Sequence, residues 1–123
     1  MGAKILVVED SEVVQSAATM VLRQARYQVM AASNGREGLL AAQRESFDLV
    51  LSDLMMPEMD GIEMTSALRG LPGYANTPII ILTTEARALH AKRALEAGAS
   101  VWLLKPIAGE PLLRSIHNLL NGN

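Results

Sequence analysis

The sequence predicts an α/β domain built on a parallel sheet with helices on both faces. Two observations carry this reading. Five short apolar runs recur along the chain, and four of them barely alternate with polar residues, as strands covered on both faces do. Between the runs, apolar residues return at helical spacing, so the order is β-α five times over. That alternation favours parallel strands joined by right-handed crossovers.

The first run is Ile5–Val8. A 3.6-residue period follows it in Val13, Val14, Ala17, Ala18, Val21, Leu22 and Ala25. The second run, Gln28–Ala32, is weaker, with a glutamine and small alanines, and suits a sheet edge. Asn34, with Glu37 three residues later, has the pattern of a capping box opening the second helix. The third run is Leu49–Leu51, and after the Asp60-Gly61 turn Ile62, Thr65 and Ala67–Leu68 fit a short third helix. Gly70–Thr77, which holds Gly70, Gly73 and Pro72, is the expected loose segment. Ile79–Leu82 is the fourth run, and Leu89, Lys92–Arg93 and Leu95–Glu96 suggest a fourth helix that Gly98 stops. Val101–Leu104 is the fifth. Pro111 fits the first turn of a last helix whose stripe is Leu112, Leu113, Ile116, Leu119 and Leu120.

Composition narrows the function. With 123 residues, half of them hydrophobic, the chain suits one domain with one real core. There is no cysteine, which removes disulfide frameworks and thiolate metal sites. A net charge of -2 without a long charge run argues against a basic nucleic-acid patch. No apolar run reaches the roughly 18 residues of a membrane span, and the amino-terminal residues have no signal-peptide pattern. The expectation is a cytoplasmic protein without membrane or nucleic-acid partners.

Ligands of open α/β sheets bind beyond the carboxyl ends of the strands. Glu9 and Asp10 follow the first run, Asp53 the third, Thr83 and Thr84 the fourth, and Lys105-Pro106 the fifth. Each has an ordinary alternative. Asp10 could favour a helix N-terminus, Asp53 could be a loop residue, Thr83 a strand-end hydroxyl, and Lys105 a surface lysine before a turn. Their conjunction points to one site. Clustered carboxylates raise one another's pKa unless a cation joins them. Hard oxygen ligands with open positions suit Mg²⁺, which also binds phosphate oxygens. A carboxylate beside such an ion can attack phosphorus and form an aspartyl phosphate. A lysine would then neutralise charge on the phosphoryl oxygens, and a threonine hydroxyl could donate to them.

Asp53-Leu-Met-Met-Pro-Glu-Met-Asp-Gly resembles the signature of response-regulator receiver domains, as do Glu9-Asp10, Thr83-Thr84-Glu85 and Lys105-Pro106. The resemblance covers the whole chain, in order. It implies the flavodoxin-like (βα)5 fold with strand order 2-1-3-4-5. It implies Asp53 as phospho-acceptor, and Asp10, Asp53 and the Met55 carbonyl as ligands of Mg²⁺, with Mn²⁺ able to substitute. Glu9 would assist through water. Lys105 and Thr83 would contact the phosphoryl group, Thr83 and Trp102 would act as the switch, and Met55 and Glu85 would tune the phosphoryl lifetime. The implied donor is a phosphohistidine on a histidine kinase or phosphotransfer protein, and the output a downstream protein target.

Leu71-Pro-Gly-Tyr-Ala-Asn-Thr-Pro78, the Thr-Thr-Glu run and Trp102 resemble the chemotaxis branch, the CheY-like single-domain regulators. Met55 departs from it, standing where well-known members carry a polar residue. Residues 1–123 are thus expected to form one monomeric receiver domain without an output domain, performing only self-catalysed phosphotransfer and slow autodephosphorylation rather than enzymatic turnover. The alternatives are a receiver excised from a hybrid kinase or larger regulator, a flavodoxin-like binding module, and an aspartyl phosphohydrolase. The flavin reading needs a phosphate-cradling loop where this chain has Val-Glu-Asp-Ser, and the hydrolase reading needs Asp-x-Asp there and a cap domain. His90 and His117 are read as surface or partly buried helix residues, and most methionines as core or gap fillers.

Overall fold

The computed structural model describes residues 2–84, 87–106 and 109–122, with Ala88 and Leu89 described in backbone alone. Its elements alternate without exception among the described residues: β1 Lys4–Val8, α1 Glu12–Gln24, β2 Gln28–Ala32, α2 Gly35–Arg44, β3 Leu49–Asp53, α3 Gly61–Arg69, β4 Ile79–Thr83, α4 Ala88–Glu96, β5 Val101–Leu104 and α5 Gly109–Leu120. The strands pair in the order β2-β1-β3-β4-β5, all parallel. This is the flavodoxin-like arrangement, with β2 at one edge as its weaker apolar run suggests.

Strand alternation divides the core into two layers. Leu6, Val8, Val50, Ile79 and Ile81 face Ala42 of α2, Met64 and Leu68 of α3 and Ala94 of α4. Ile5, Val7, Leu49, Leu51, Ile80 and Leu82 face Ala18 and Leu22 of α1 and Leu112 and Ile116 of α5. Each such large side chain contributes about 1.5–3 kcal/mol on burial, so β1, β3 and β4, buried along nearly their whole length, anchor the fold. Parallel register then places Val8, Ser52–Asp53, Thr83 and Leu104 along one end of the sheet.

The helical stripes differ in detail from the sequence pattern. In α1 Ala18 and Leu22 are buried, while Val13 is 80 % exposed and Ala17 and Ala25 also face outward. In α4 the small Ala91 and Ala94 meet the sheet, and Leu95 is exposed. Alanine lets the helix lie closer to the strands, so the bulky residue is not the inward one. Met64, absent from the α3 pattern, is fully buried.

Two local expectations are also corrected. Asn34 accepts from the Glu37 N–H at 2.9 Å, but the Glu37 carboxylate accepts from Ser33 N–H rather than Asn34 N–H, so the reciprocal bond is displaced by one residue. The complete capping box is at α3, where Asp60 and Glu63 cap each other. Gly70–Thr77 is pinned rather than loose. Arg69 Nη1 donates to the carbonyls of Tyr74 and Thr77, both at 2.7 Å. Its Nε and Nη2 donate to the Gly98 carbonyl. Tyr74 is buried, and its hydroxyl donates to the Ala42 and Glu45 carbonyls and accepts from Phe47 N–H. Gly98 ends α4 as expected, at φ 120°; a Cβ there would lie 2.9 Å from Arg69 Cγ, so glycine also makes room for the arginine.

Candidate functional site

The carboxyl end of the sheet gathers the charged residues that the strands deliver. Asp53 is the last residue of β3, and Glu9 and Asp10 lie between β1 and the Ser11 cap of α1. Glu9, Asp10 and Asp53 each bring a carboxylate oxygen within 4.8 Å of the others. Lys105, just past β5, reaches back over the sheet end. Its Nζ lies 3.0 Å from Asp53 Oδ1 and 3.1 Å from Glu9 Oε1.

The backbone around the acids is tightly held. Asp53 Oδ1 also accepts from Leu54 N–H at 2.9 Å. Gly61 opens α3 directly against the acceptor strand. Its N–H donates to the Leu54 carbonyl, and a Cβ there would sit 2.4 Å from the Asp53 carbonyl oxygen. Only glycine permits that approach. Gln15, in the inward half of α1, donates from Nε2 to the carbonyls of Glu9 at 3.0 Å and Ala32 at 3.1 Å, tying the ends of β1 and β2. A polar residue next to Val14 in an inward stripe is the signal that could have found it. Asn34 and Arg36 both donate to Glu58, and Gly35 N–H donates to the Met59 carbonyl, so α2 holds the loop after Asp53.

Glu9 is 2 % exposed. Its Oε2 accepts from Ser11 N–H at 3.1 Å, but Oε1 is buried without a hydrogen bond, meeting Lys105 only as an ion pair. Burial pushes its carboxyl up to about 7; the Asp53 charge adds to the rise, while Ser11 N–H and Lys105 oppose it. Burial pulls Lys105 down, but the adjoining Asp53 and Glu9 carboxylates outweigh it and hold the ammonium above its ordinary value. Three carboxylates gathered around a single ammonium leave negative charge to be neutralised, which fits a hard divalent cation. Glu9, Asp10 and Asp53 are the side chains that could hold it.

Thr83 is buried at the end of β4, and its hydroxyl donates to the Thr84 carbonyl at 3.3 Å. Asp53, Met55, Thr83, Thr84, Arg87 and Lys105 line a cleft of about 140 Å³. The Met55 side chain is 45 % exposed there. Arg87 is the residue that the strand-end reading missed, because it follows β4 by four positions. Trp102 packs into the core layer of α2, α3 and α4, half-buried on the edge strand, and its neighbour Leu103 faces the other layer. The sequence brings Trp102 to the sheet but not to the acids. Glu85 lies outside the described residues. His90 and His117 are exposed on their helices.

The comparisons with known proteins agree with this geometry. A family model described as the response regulator receiver domain matches residues 5–117. The structure is similar to chemotaxis protein CheY4 of Vibrio cholerae, at 38 % identity and a TM-score of 0.91 over 97 % of this chain and 99 % of that one. It is similar to the receiver domain of sensor histidine kinase PA1611 of Pseudomonas aeruginosa, a structure with a magnesium ion coordinated in its active-site cleft. That match has 30 % identity and a TM-score of 0.91, over 98 % of this chain and 99 % of the other. Among curated proteins, the transcriptional regulatory protein SrrA of Staphylococcus aureus is 32 % identical over 120 residues, or 98 % of this chain. The chain spans about half the length of that relative, 48 %. Among the described residues, no helix is long and apolar enough to cross a membrane.

Proposed function

The chain belongs to the response regulator receiver domains of two-component systems, and on that premise we propose that it is a phosphorylation switch in which Asp53 takes a phosphoryl group from a phosphohistidine. The observation that supports this most is Lys105, whose ammonium bridges Asp53 and Glu9 beside Asp10.

Asp53 Oδ1 is held by Lys105 and Leu54 N–H, which leaves Oδ2 to attack. The Oδ2–P bond forms as the P–N bond of the phosphohistidine breaks. The imidazole leaves with the electron pair. Lys105 stays beside the new acyl phosphate and balances its charge. Mg²⁺, with Mn²⁺ as a substitute, would be held by Asp10, Asp53 and the Met55 carbonyl, with Glu9 through water, and supplies neutralisation of the phosphoryl oxygens. Thr83 turns its hydroxyl from the Thr84 carbonyl to a phosphoryl oxygen, and the space it vacates admits Trp102. The face formed by α4, β5 and α5 changes, and a partner protein that prefers one form shifts the population.

The cycle consists of one self-catalysed phosphotransfer and slow hydrolysis, without turnover of an external substrate. The domain works as a cytoplasmic monomer, with a histidine kinase or phosphotransfer protein upstream, a protein target downstream and no nucleic-acid contact of its own. The likeness to CheY4 supports a chemotaxis target. A second reading, a receiver segment of a longer regulator or hybrid kinase, is favoured by the half-length match to SrrA and the likeness to the PA1611 receiver. Acetyl phosphate with Mg²⁺ tests the acceptor. Intact mass should gain one base-labile phosphoryl group, and Asp53→Asn should remove it. Undiminished labelling of that variant would overturn the assignment.

A further inference from the structure

The cleft beside Asp53 has a second cation on its wall. Arg87 lines it together with Asp53, Met55, Thr83 and Lys105. Its backbone N–H donates to the Thr84 carbonyl at 3.0 Å, which holds its backbone beside the end of β4, while its side chain is exposed. Arg87 is also the N-cap residue of α4. A cation is disfavoured there, because the helix end already carries partial positive charge. The contrast with the other capped helices is clear: Ser11, Asn34 and Asp60 cap α1, α2 and α3 through side-chain oxygens, whereas among the described residues no side chain caps α4 and no acid lies in its first turn.

Charge at the site changes with phosphorylation. With a divalent cation bound, three ionised carboxylates and Lys105 leave the site neutral. Turning the Asp53 carboxylate into an acyl phosphate replaces one negative charge by about two. Lys105 already faces both Glu9 and Asp53, so its single positive charge is shared, and among the described residues of the cleft wall Arg87 supplies a second one. From this we infer that Arg87 is a phosphoryl-binding residue specific to the phosphorylated form. Its guanidinium swings over the cleft mouth and donates to a phosphoryl oxygen, as a planar donor fork suits. The contact shields the phosphorus from water and carries the phosphorylation state into the first turn of α4. Hydrolysis requires a water oxygen to bond to phosphorus as the bond to Asp53 breaks, with the pair returning to the carboxylate and the water's protons going to phosphate and solvent. A guanidinium across the mouth slows that approach.

This inference rests on Asp53 as the acceptor, and the test separates the two. Beryllofluoride affinity is measured by ¹⁹F NMR, Mg²⁺ affinity by calorimetry, and the decay of the phosphorylated form by mass, for wild type, Arg87→Ala and Arg87→Lys. Arg87→Ala should weaken the anionic mimic about threefold and speed decay by a similar factor, the scale of a partly exposed ion pair. Its Mg²⁺ affinity should hold or tighten, which a damaged fold would not allow. Arg87→Lys should recover most of the loss, and high salt should narrow the gap. Equal mimic affinity and decay in wild type and Arg87→Ala would overturn the role of Arg87 while leaving Asp53 in place. Failure of wild type itself to take up phosphoryl at Asp53 would remove both.

Discussion

The Lys105 ammonium stands 3.0 Å from Asp53 Oδ1 and so couples the end of β5 to the end of β3, two strands that do not pair with each other. β4 lies between them. Lys105 N–H donates to the Thr83 carbonyl at 2.7 Å, which sets the lysine's starting point, and the side chain spans the rest. Lys105→Met should therefore do two things. It should abolish phosphoryl uptake from acetyl phosphate, and it should destabilise the metal-free fold by about 1–3 kcal/mol by leaving the carboxylates unpaired. Urea unfolding should register a larger loss at about pH 8 than at about pH 5, because protonation of Glu9, whose carboxyl is raised to about 7, relieves part of the unpaired charge.

Glu9 gives a pH signature without metal. Its folded pKa, about 7, lies above the ordinary 4.5, so the folded state binds the proton more tightly than the unfolded chain. The stabilisation is complete below pH 4.5 and is lost as pH rises through about 7. Lys105, also raised, loses its contribution only far above this window. Thermal unfolding of metal-free protein should weaken across the window by on the order of 3 kcal/mol, and Glu9→Gln should flatten the decline. A parallel decline in wild type and variant would assign the titration elsewhere.

Magnesium should stabilise the fold by quenching repulsion among Glu9, Asp10 and Asp53. At a hundredfold excess over the dissociation constant, linkage gives about 2.7 kcal/mol. Asp10→Asn should lose most of that gain in a thermal melt.

Met55 exposes an apolar side chain at the cleft, where it can neither hydrogen-bond an attacking water nor welcome one. Met55→Asn should speed loss of the phosphoryl group by about threefold, the value of a modest hydrogen bond to water. Time-resolved mass measurements after removing the donor will show the change, and a slower decay would reverse the role assigned to the methionine.

Trp102 is the only tryptophan, so emission reports one place. Beryllofluoride with Mg²⁺ should shift or quench it as the half-buried indole turns. Asp53→Asn should abolish the response. Thr83→Ala should leave the mimic bound and the emission unmoved, because no hydroxyl is drawn away from the Thr84 carbonyl.

The fold was legible because strand burial on both faces leaves continuous apolar runs, and Ile79–Leu82 can hardly be read otherwise. Helix faces were less so. Ala91 and Ala94 are buried because they are small, and a pattern that weighs bulk chooses Leu95 instead. The acids and Lys105 were legible from strand ends, since parallel register alone brings those ends together. Arg87, Gln15 and the Arg69–Tyr74 clamp were not, because each depends on a side chain crossing to another segment, and local spacing carries no record of that reach.

The Arg69 clamp divides the molecule mechanically. Its guanidinium binds the carbonyls of Thr77, just before β4, and Gly98, just before β5. Ser100 closes the same end, with its N–H to the Ile79 carbonyl and its Oγ accepting from Ile79 N–H. Both strands are thus clamped at the end far from Asp53, while Thr83, Arg87 and Lys105 lie at the other. A body fixed at one end behaves as a cantilever: its displacement grows with distance from the support. Force applied at the cleft should therefore move the first turn of α4 more than the last. Loosening the support would spread the same force over the whole length and blunt the motion at the tip.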